Sequence, residues 1–158
     1  MESEKNLMLA ALNNQREHVL GILVGLSDED LRRPVLPTGW NCLELIRHLT
    51  IDVEQLWFRV VAAGQAVEPG VAGWVVGPDE PAGAVLDAYR QEIERANAVV
   101  ADLPLDTPPA FWPAEQFGDF RLHNLRELLM HVITETACHA GHLDAVRELI
   151  DSQTWLRI

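Results

Sequence analysis

The sequence predicts an all-α fold, specifically a four-helix bundle with long inter-helix loops. Three observations predict it. Four stretches of roughly 22 to 28 residues repeat apolar side chains every three to four positions. Two of those stretches open on an Asn-x-x-Glu start signal, at Asn41/Glu44 and Asn124/Glu127. The connections at 64–83 and 103–123 are broken by glycine and proline, and β-branched runs are confined to short pieces such as Val75-Val76.

The first segment, residues 3–26, places Leu7, Ala10, Ala11, Asn14, Val19, Ile22 and Leu23 inward, with Glu4, Lys5, Arg16 and Glu17 outside. Ser27 with Asp30 caps one short turn, which Pro34 and Pro37 stop. The second helix starts at Asn41 and keeps Leu45, Leu49, Val53, Leu56 and Val60 in register to about Ala63. The third fits residues 80–102, with Val85, Tyr89, Ile93, Ala96 and Val100 inward. The fourth runs from Asn124 to about Asp151. Long loops allow a crossover topology as readily as simple up-down neighbours.

With 158 residues, the chain is expected to form a single domain, 1–158, whose core needs no disulfide or metal to fold. Twenty-four acidic residues against 12 basic ones give a formal charge of −12, which disfavours nucleic acid as a partner. Lys5 is the only lysine, so no basic cluster offsets that balance. The start of the chain, MESEKNLMLAALNNQ, lacks the apolar core of a signal peptide. No run approaches the roughly 18 apolar residues of a membrane span. Cys42 and Cys138 are isolated thiols and read as reduced, so the expected compartment is the cytoplasm. Oligomeric state is open, with a homodimer as one outcome, since bundles of this kind often pair.

The chemistry concentrates in HVITETACHAGHLDAVREL, residues 131–149. At about 100° per residue, Glu135, His139 and His142 fall at about 40°, 80° and 20° from His131, all on one stripe. Glu135 and His139, at i and i+4, can offer two ligands to one metal, as in other helices with that spacing. A third must come from elsewhere, and His48 lies on the inward row of the second helix with Leu45, Leu49, Asp52 and Leu56. His48, Glu135 and His139 would then form a site inside the bundle core. Two imidazoles and a carboxylate suit Zn²⁺, Fe²⁺ or Ni²⁺, and three protein ligands leave a position for water or substrate. The bland alternative is a polar stripe on a solvated helix face. His142 reads equally as a general base and as a packing residue. Asp52 reads as a plain helix charge before a partner of His48. His131, Asp144 and Arg147 read as structural, Cys138 as a packing residue, and Trp57 as a cavity wall.

These residues resemble a family. GWNCLELIRHLTIDVEQLWFR resembles the second helix of the DinB-like superfamily, where a Trp precedes the helix and a histidine sits in its middle. HVITETACHAGHLDAVREL resembles that superfamily's last helix, whose i, i+4 pair ends in a His followed by a residue, Gly and a polar side chain; here that tail is His139-Ala140-Gly141-His142. The resemblance implies a four-helix bundle holding a metal through three side chains. The common version has three histidines, and Glu135 in the second place resembles the mycothiol-dependent maleylpyruvate isomerase branch, where two His and one Glu hold zinc. It therefore implies His48, Glu135 and His139 as ligands of a divalent metal, zinc first, with nickel or iron as alternatives. The extra C-terminal domain of that isomerase has no counterpart in these residues, so its substrate contacts do not transfer.

The function implied is a thiol-dependent S-transferase or isomerase of the mycothiol or bacillithiol type. It would act on small electrophiles, with a low-molecular-weight thiol as cosubstrate and His142 moving the proton. The two long loops would form the pocket rims. The alternative is a non-catalytic metal-binding stress or scaffold protein.

Overall fold

The computed structural model describes residues 4–67 and 73–155; among them every regular element is helical and no strand occurs. Residue 3 of the first segment and residues 68–72 of the first long loop lie outside the described residues. The elements are α1 (Glu4–Gly21), α2 (Asp28–Arg32), α3 (Cys42–His48), a π-helical continuation of α3 (Leu49–Ala62), α4 (Ala82–Ala101), α5 (Ala114–Phe117) and α6 (Leu125–Asp151). None of these helices is long and apolar enough to cross a membrane. α1 packs on α6, α4 packs on α3 and its π continuation, and that continuation packs on α6. The buried apolar side chains form one connected cluster.

The first helix ends earlier than its hydrophobic pattern. Gly25, at φ 86°, turns the chain, and Ser27 caps α2 by accepting the Asp30 N–H at 3.1 Å. Its buried face is also rotated from the expected one: Met8, Leu12, Arg16 and Val19 face inward while Leu7 is exposed. Arg16 lies on this buried face. It was expected outside, but Glu54 meets it with two hydrogen bonds, of 2.7 and 2.6 Å. Asn13 and Asn97 accept from its remaining nitrogen at 2.9 and 2.8 Å. A charge can be buried at this position because all three guanidinium nitrogens find an acceptor in Glu54, Asn13 or Asn97.

The second rod departs most from an ordinary helix. Asn41 and Glu44 form the expected capping box, with both arms made. After His48 the winding widens, and Ala63 closes the segment with an i−5 bond to Phe58 at 3.1 Å. The sequence supplies the reason. The buried residues come as pairs every four positions: Leu45/Ile46, Leu49/Thr50, Val53/Glu54, Trp57/Phe58 and Val61/Ala62. On an α-helix a strict four-residue repeat drifts by about 40° per step. A wider winding counteracts that drift and keeps all five pairs on the core side.

α4 buries Val85, Tyr89, Ala96 and Val100 as expected, together with Glu92, which Arg59 and Arg95 neutralise at 3.2 and 2.9 Å. Lys5 reaches across from α1 to accept none and donate twice, to the Ala101 and Leu103 carbonyls at 2.8 and 2.9 Å, capping the end of α4.

The second long loop is anchored at both ends. Ala110 and Phe111 donate to the orphan carbonyls of Ala62 and Val61, and Leu125 and Arg126 donate to Thr107 and Leu105. Residues 111–120 are thereby held beside the π segment. α6 starts at Asn124, whose side chain accepts from Glu127 N–H at 3.0 Å. The return arm differs from the expected box: Glu127 takes the backbone N–H of His123, not of Asn124, at 2.7 Å. Arg147 is structural, as expected. It is buried, pairs with Asp151, and donates to the Ile22 and Val24 carbonyls beyond α1. Asp144 pairs with His18 at 2.8 Å.

Candidate metal centre

His48 closes α3 at the point where the winding widens, and the π segment then packs on α6. This brings three groups from two rods together. One ligand atom each from His48, Glu135 and His139 lie within 4.8 Å of one another. The His139 Nε2 and Glu135 Oε2 atoms are 3.7 Å apart, too far for a hydrogen bond. It is close to the spacing of about 3.4 Å that two ligands with 2.1 Å bonds adopt around a tetrahedral ion. The His48 and His139 rings sit edge to face, 4.9 Å between centroids. Each of the three groups is half-buried, so the cluster lies in the side wall of the helices and not inside the core as the sequence suggested. Leu45, Leu49, Val53 and Trp57 take the core, and His48 stands on their flank.

All three facing groups are acceptors in their neutral or anionic forms, and such a set attracts a cation. Burial, reinforced by the nearby His48, pushes His139 down to about 4, against the pull of Glu135. Its imidazole is therefore neutral, with a lone pair to give, at physiological pH. Asp52 Oδ2 lies 2.8 Å from His48 Nδ1 and accepts that N–H, which leaves the His48 Nε2 lone pair as the free donor. The reading of Asp52 as a plain helix charge is thus corrected.

The first long loop seats this pair. Gly73 packs so closely on Asp52 that an added Cβ would stand 1.8 Å from Oδ2. Trp74 then stacks on the His48 ring at 4.5 Å and 18°. His142 stands outside the three-group cluster: it is exposed, its Nδ1 is 3.4 Å from His139 Nδ1, and its ring lies 6.3 Å from Trp40.

On the other flank the cluster opens into a groove of about 370 Å³. His48, Asp52 and Glu135 supply its carboxylates and one imidazole, and Trp57, Phe117, Phe120, His131 and Gln116 are among the residues that line the rest. Trp57 stacks on Phe117 at 5.1 Å and meets His131 edge-on at 4.6 Å. Trp57 walls a cavity, as the sequence suggested. His131, read there as structural, faces this groove instead. The sequence pointed to both long loops as pocket rims without singling out Trp74, Phe117 or Phe120 within them. The density of FWPAEQFGDF, four aromatics within residues 111–120 of a connecting segment, was the available signal.

Both cysteines are free. Cys42 is buried, and burial raises its thiol to about 11, which removes it as a nucleophile near neutral pH.

Comparison with known proteins adds the family. A family model described as Mycothiol-S-transferase matches residues 7–152, which includes His48, Glu135, His139 and both long loops. No curated protein and no solved structure matches the chain. A helical chain matched over nearly its whole length, carrying a His/Glu/His cluster in its wall, belongs to the mycothiol S-transferase family, a DinB-like family.

Proposed function

We propose that the chain is a metal-dependent S-transferase that joins the sulfur of mycothiol to small electrophiles. The observation that carries this reading is the convergence of His48, Glu135 and His139 within 4.8 Å beside a groove. In this reading His48, Glu135 and His139 hold a divalent ion, zinc before nickel or iron. Such an ion supplies Lewis acidity, which brings the pKa of a thiol toward neutrality.

The chain's own residues do the rest. Asp52 fixes the tautomer of His48 so that Nε2 faces the cluster. Trp74 covers the outer face of His48 and limits water there. His142, exposed beside His139, carries the thiol proton to solvent. The aromatic groove positions the electrophile against the incoming sulfur. The wider frame of the proposal is one four-helix-bundle domain acting in the cytoplasm on small molecules. A groove that reaches the cluster supports chemistry over a purely structural ion, whose coordination would be closed.

The test is consumption of mycothiol, bacillithiol or glutathione by zinc-loaded protein against a panel of electrophiles. The expected result is turnover with mycothiol that disappears on chelation and in Glu135→Ala. Retained zinc with no thiol consumed would replace the enzyme by a non-catalytic metal-binding protein.

A further inference from the structure

We infer that Gly73 and Trp74 are positioning residues for His48. Gly73 is a backstop that keeps the Asp52 carboxylate on the imidazole, and Trp74 is a plate that fixes the plane of the ring. The inference rests on the proposed metal site and names the parts of the first long loop that orient one of its ligands.

The first observation is an approach that leaves no room for a side chain. A methyl group built on Gly73 would stand 1.8 Å from Asp52 Oδ2, 2.4 Å from Cγ and 2.7 Å from Oδ1. Oδ2 is the atom that accepts from His48 Nδ1 at 2.8 Å. Turning the carboxylate about its own bond does not relieve the overlap, because Cγ stays in place. The backbone at this position does not itself call for glycine. Positive φ occurs at Gly25, Gly39, Gly64 and Gly118 but not at Gly73. Space alone requires the small residue, and one carboxylate fills that space.

The second observation is the ring beside it. Trp74 lies 4.5 Å from the His48 ring with 18° between the planes, and meets His139 edge-on at 6.4 Å. A hydrogen bond in the ring plane and a stack on the ring face restrain different motions. The Asp52 contact sets which nitrogen turns away, and the Trp74 contact sets the tilt of the ring.

The third observation is how the loop is tied down beyond these residues. Arg32 donates to the Gly77 carbonyl at 3.2 Å and to the Glu80 carbonyl, and Arg47 pairs with the Glu80 carboxylate. Arg47 adjoins His48 in α3, so the stretch of helix that carries the ligand also anchors the loop that holds it. A side chain at 73 therefore has two outlets. Either Asp52, which is only half-buried, swings toward solvent, or the loop lifts and takes Trp74 with it. Each outlet removes one of the two holds on His48.

The test uses the full chain with Gly73→Ala, Asp52→Ala, the two combined, Trp74→Ala and Trp74→Phe. NMR of the metal-free protein identifies the protonated nitrogen of His48, and calorimetry measures zinc affinity. The parent should carry the proton on Nδ1, and Gly73→Ala should shift His48 toward the Nε2–H form that free imidazole prefers. Zinc affinity should fall about 10- to 100-fold in Gly73→Ala, with the urea midpoint of the metal-free protein unchanged. In the Asp52→Ala background, where the methyl finds room, the same substitution should change affinity by less than about threefold. Trp74→Ala should weaken zinc by about three- to tenfold, and Trp74→Phe should recover most of that loss. Parent tautomer and parent affinity in Gly73→Ala, or losses that add in full in the double variant, would overturn the assignment. A parent that holds the Nδ1–H form and loses it in Gly73→Ala, yet binds no zinc, would sink the metal site and uphold the positioning role.

Discussion

Glu54 and His48 stand on one continuous helical rod, and a neighbouring helix brings each of them polar company. Around Glu54 the company is complementary: Arg16 donates to both carboxylate oxygens, and Asn13 and Asn97 complete the guanidinium. Glu54 is fully buried and Arg16 nearly so. Around His48 the company from α6 is a carboxylate and a second imidazole, 3.7 Å from each other and joined by no hydrogen bond. The first cluster is closed in on itself and holds the fold. The second is half-open and gathers lone pairs toward a shared point. Complementary polar groups in a protein wall indicate structure, and convergent like groups indicate a ligand still to come.

Breaking the closed cluster should have the largest effect. Glu54→Ala leaves Arg16 buried without its counter-charge and should cost about 3–5 kcal/mol in urea denaturation, with or without zinc. The open cluster should behave in the opposite way. Glu135→Ala, at a side chain 41% exposed, should leave the metal-free protein within about 1 kcal/mol of the parent. The same variant should erase the stabilisation by zinc, about 2.7 kcal/mol at a hundredfold excess over Kd.

Acid should expose the difference next. His139 titrates at about 4 in the folded chain and near 6.5 when unfolded, so the unfolded state binds its proton first. Metal-free protein should therefore keep full stability above pH 6.5 and lose about 1–3 kcal/mol as pH falls toward 4. Burial lowers His131 as well, with the same sign. A pH series of thermal midpoints on the parent and His139→Gln checks this, because the variant should lose most of the acid sensitivity. The last effect is a positioning one. Asp52→Asn keeps the shape but weakens the hold on the His48 tautomer, and should reduce zinc affinity about 10- to 100-fold with little change in metal-free stability.

Much of this arrangement was legible in the sequence. The helical class, the capping residues Asn41 and Asn124, and the meeting of His48 with Glu135 and His139 all follow from spacing and from the family resemblance. What escaped has a physical explanation in each case. Arg16 looked like a surface charge because its partner, Glu54, is 38 residues away and burial of such a pair is decided by tertiary packing. The π winding was written in the four-residue repeat of buried pairs, but a helical wheel drawn at 100° per residue hides it. His48 was read onto the inward row, but Leu45 and Leu49 take the core and His48 lies in the wall beside them. Trp74 and the aromatics of 111–120 sit in connections, where periodicity carries no information and only backbone anchoring decides what they touch.

The most direct test of the convergent cluster is crystallography of zinc-loaded protein with anomalous data at the zinc edge. The account predicts one strong peak within about 2.0–2.2 Å of His48, Glu135 and His139 together. A peak bound elsewhere, or to only one of the three, would contradict it.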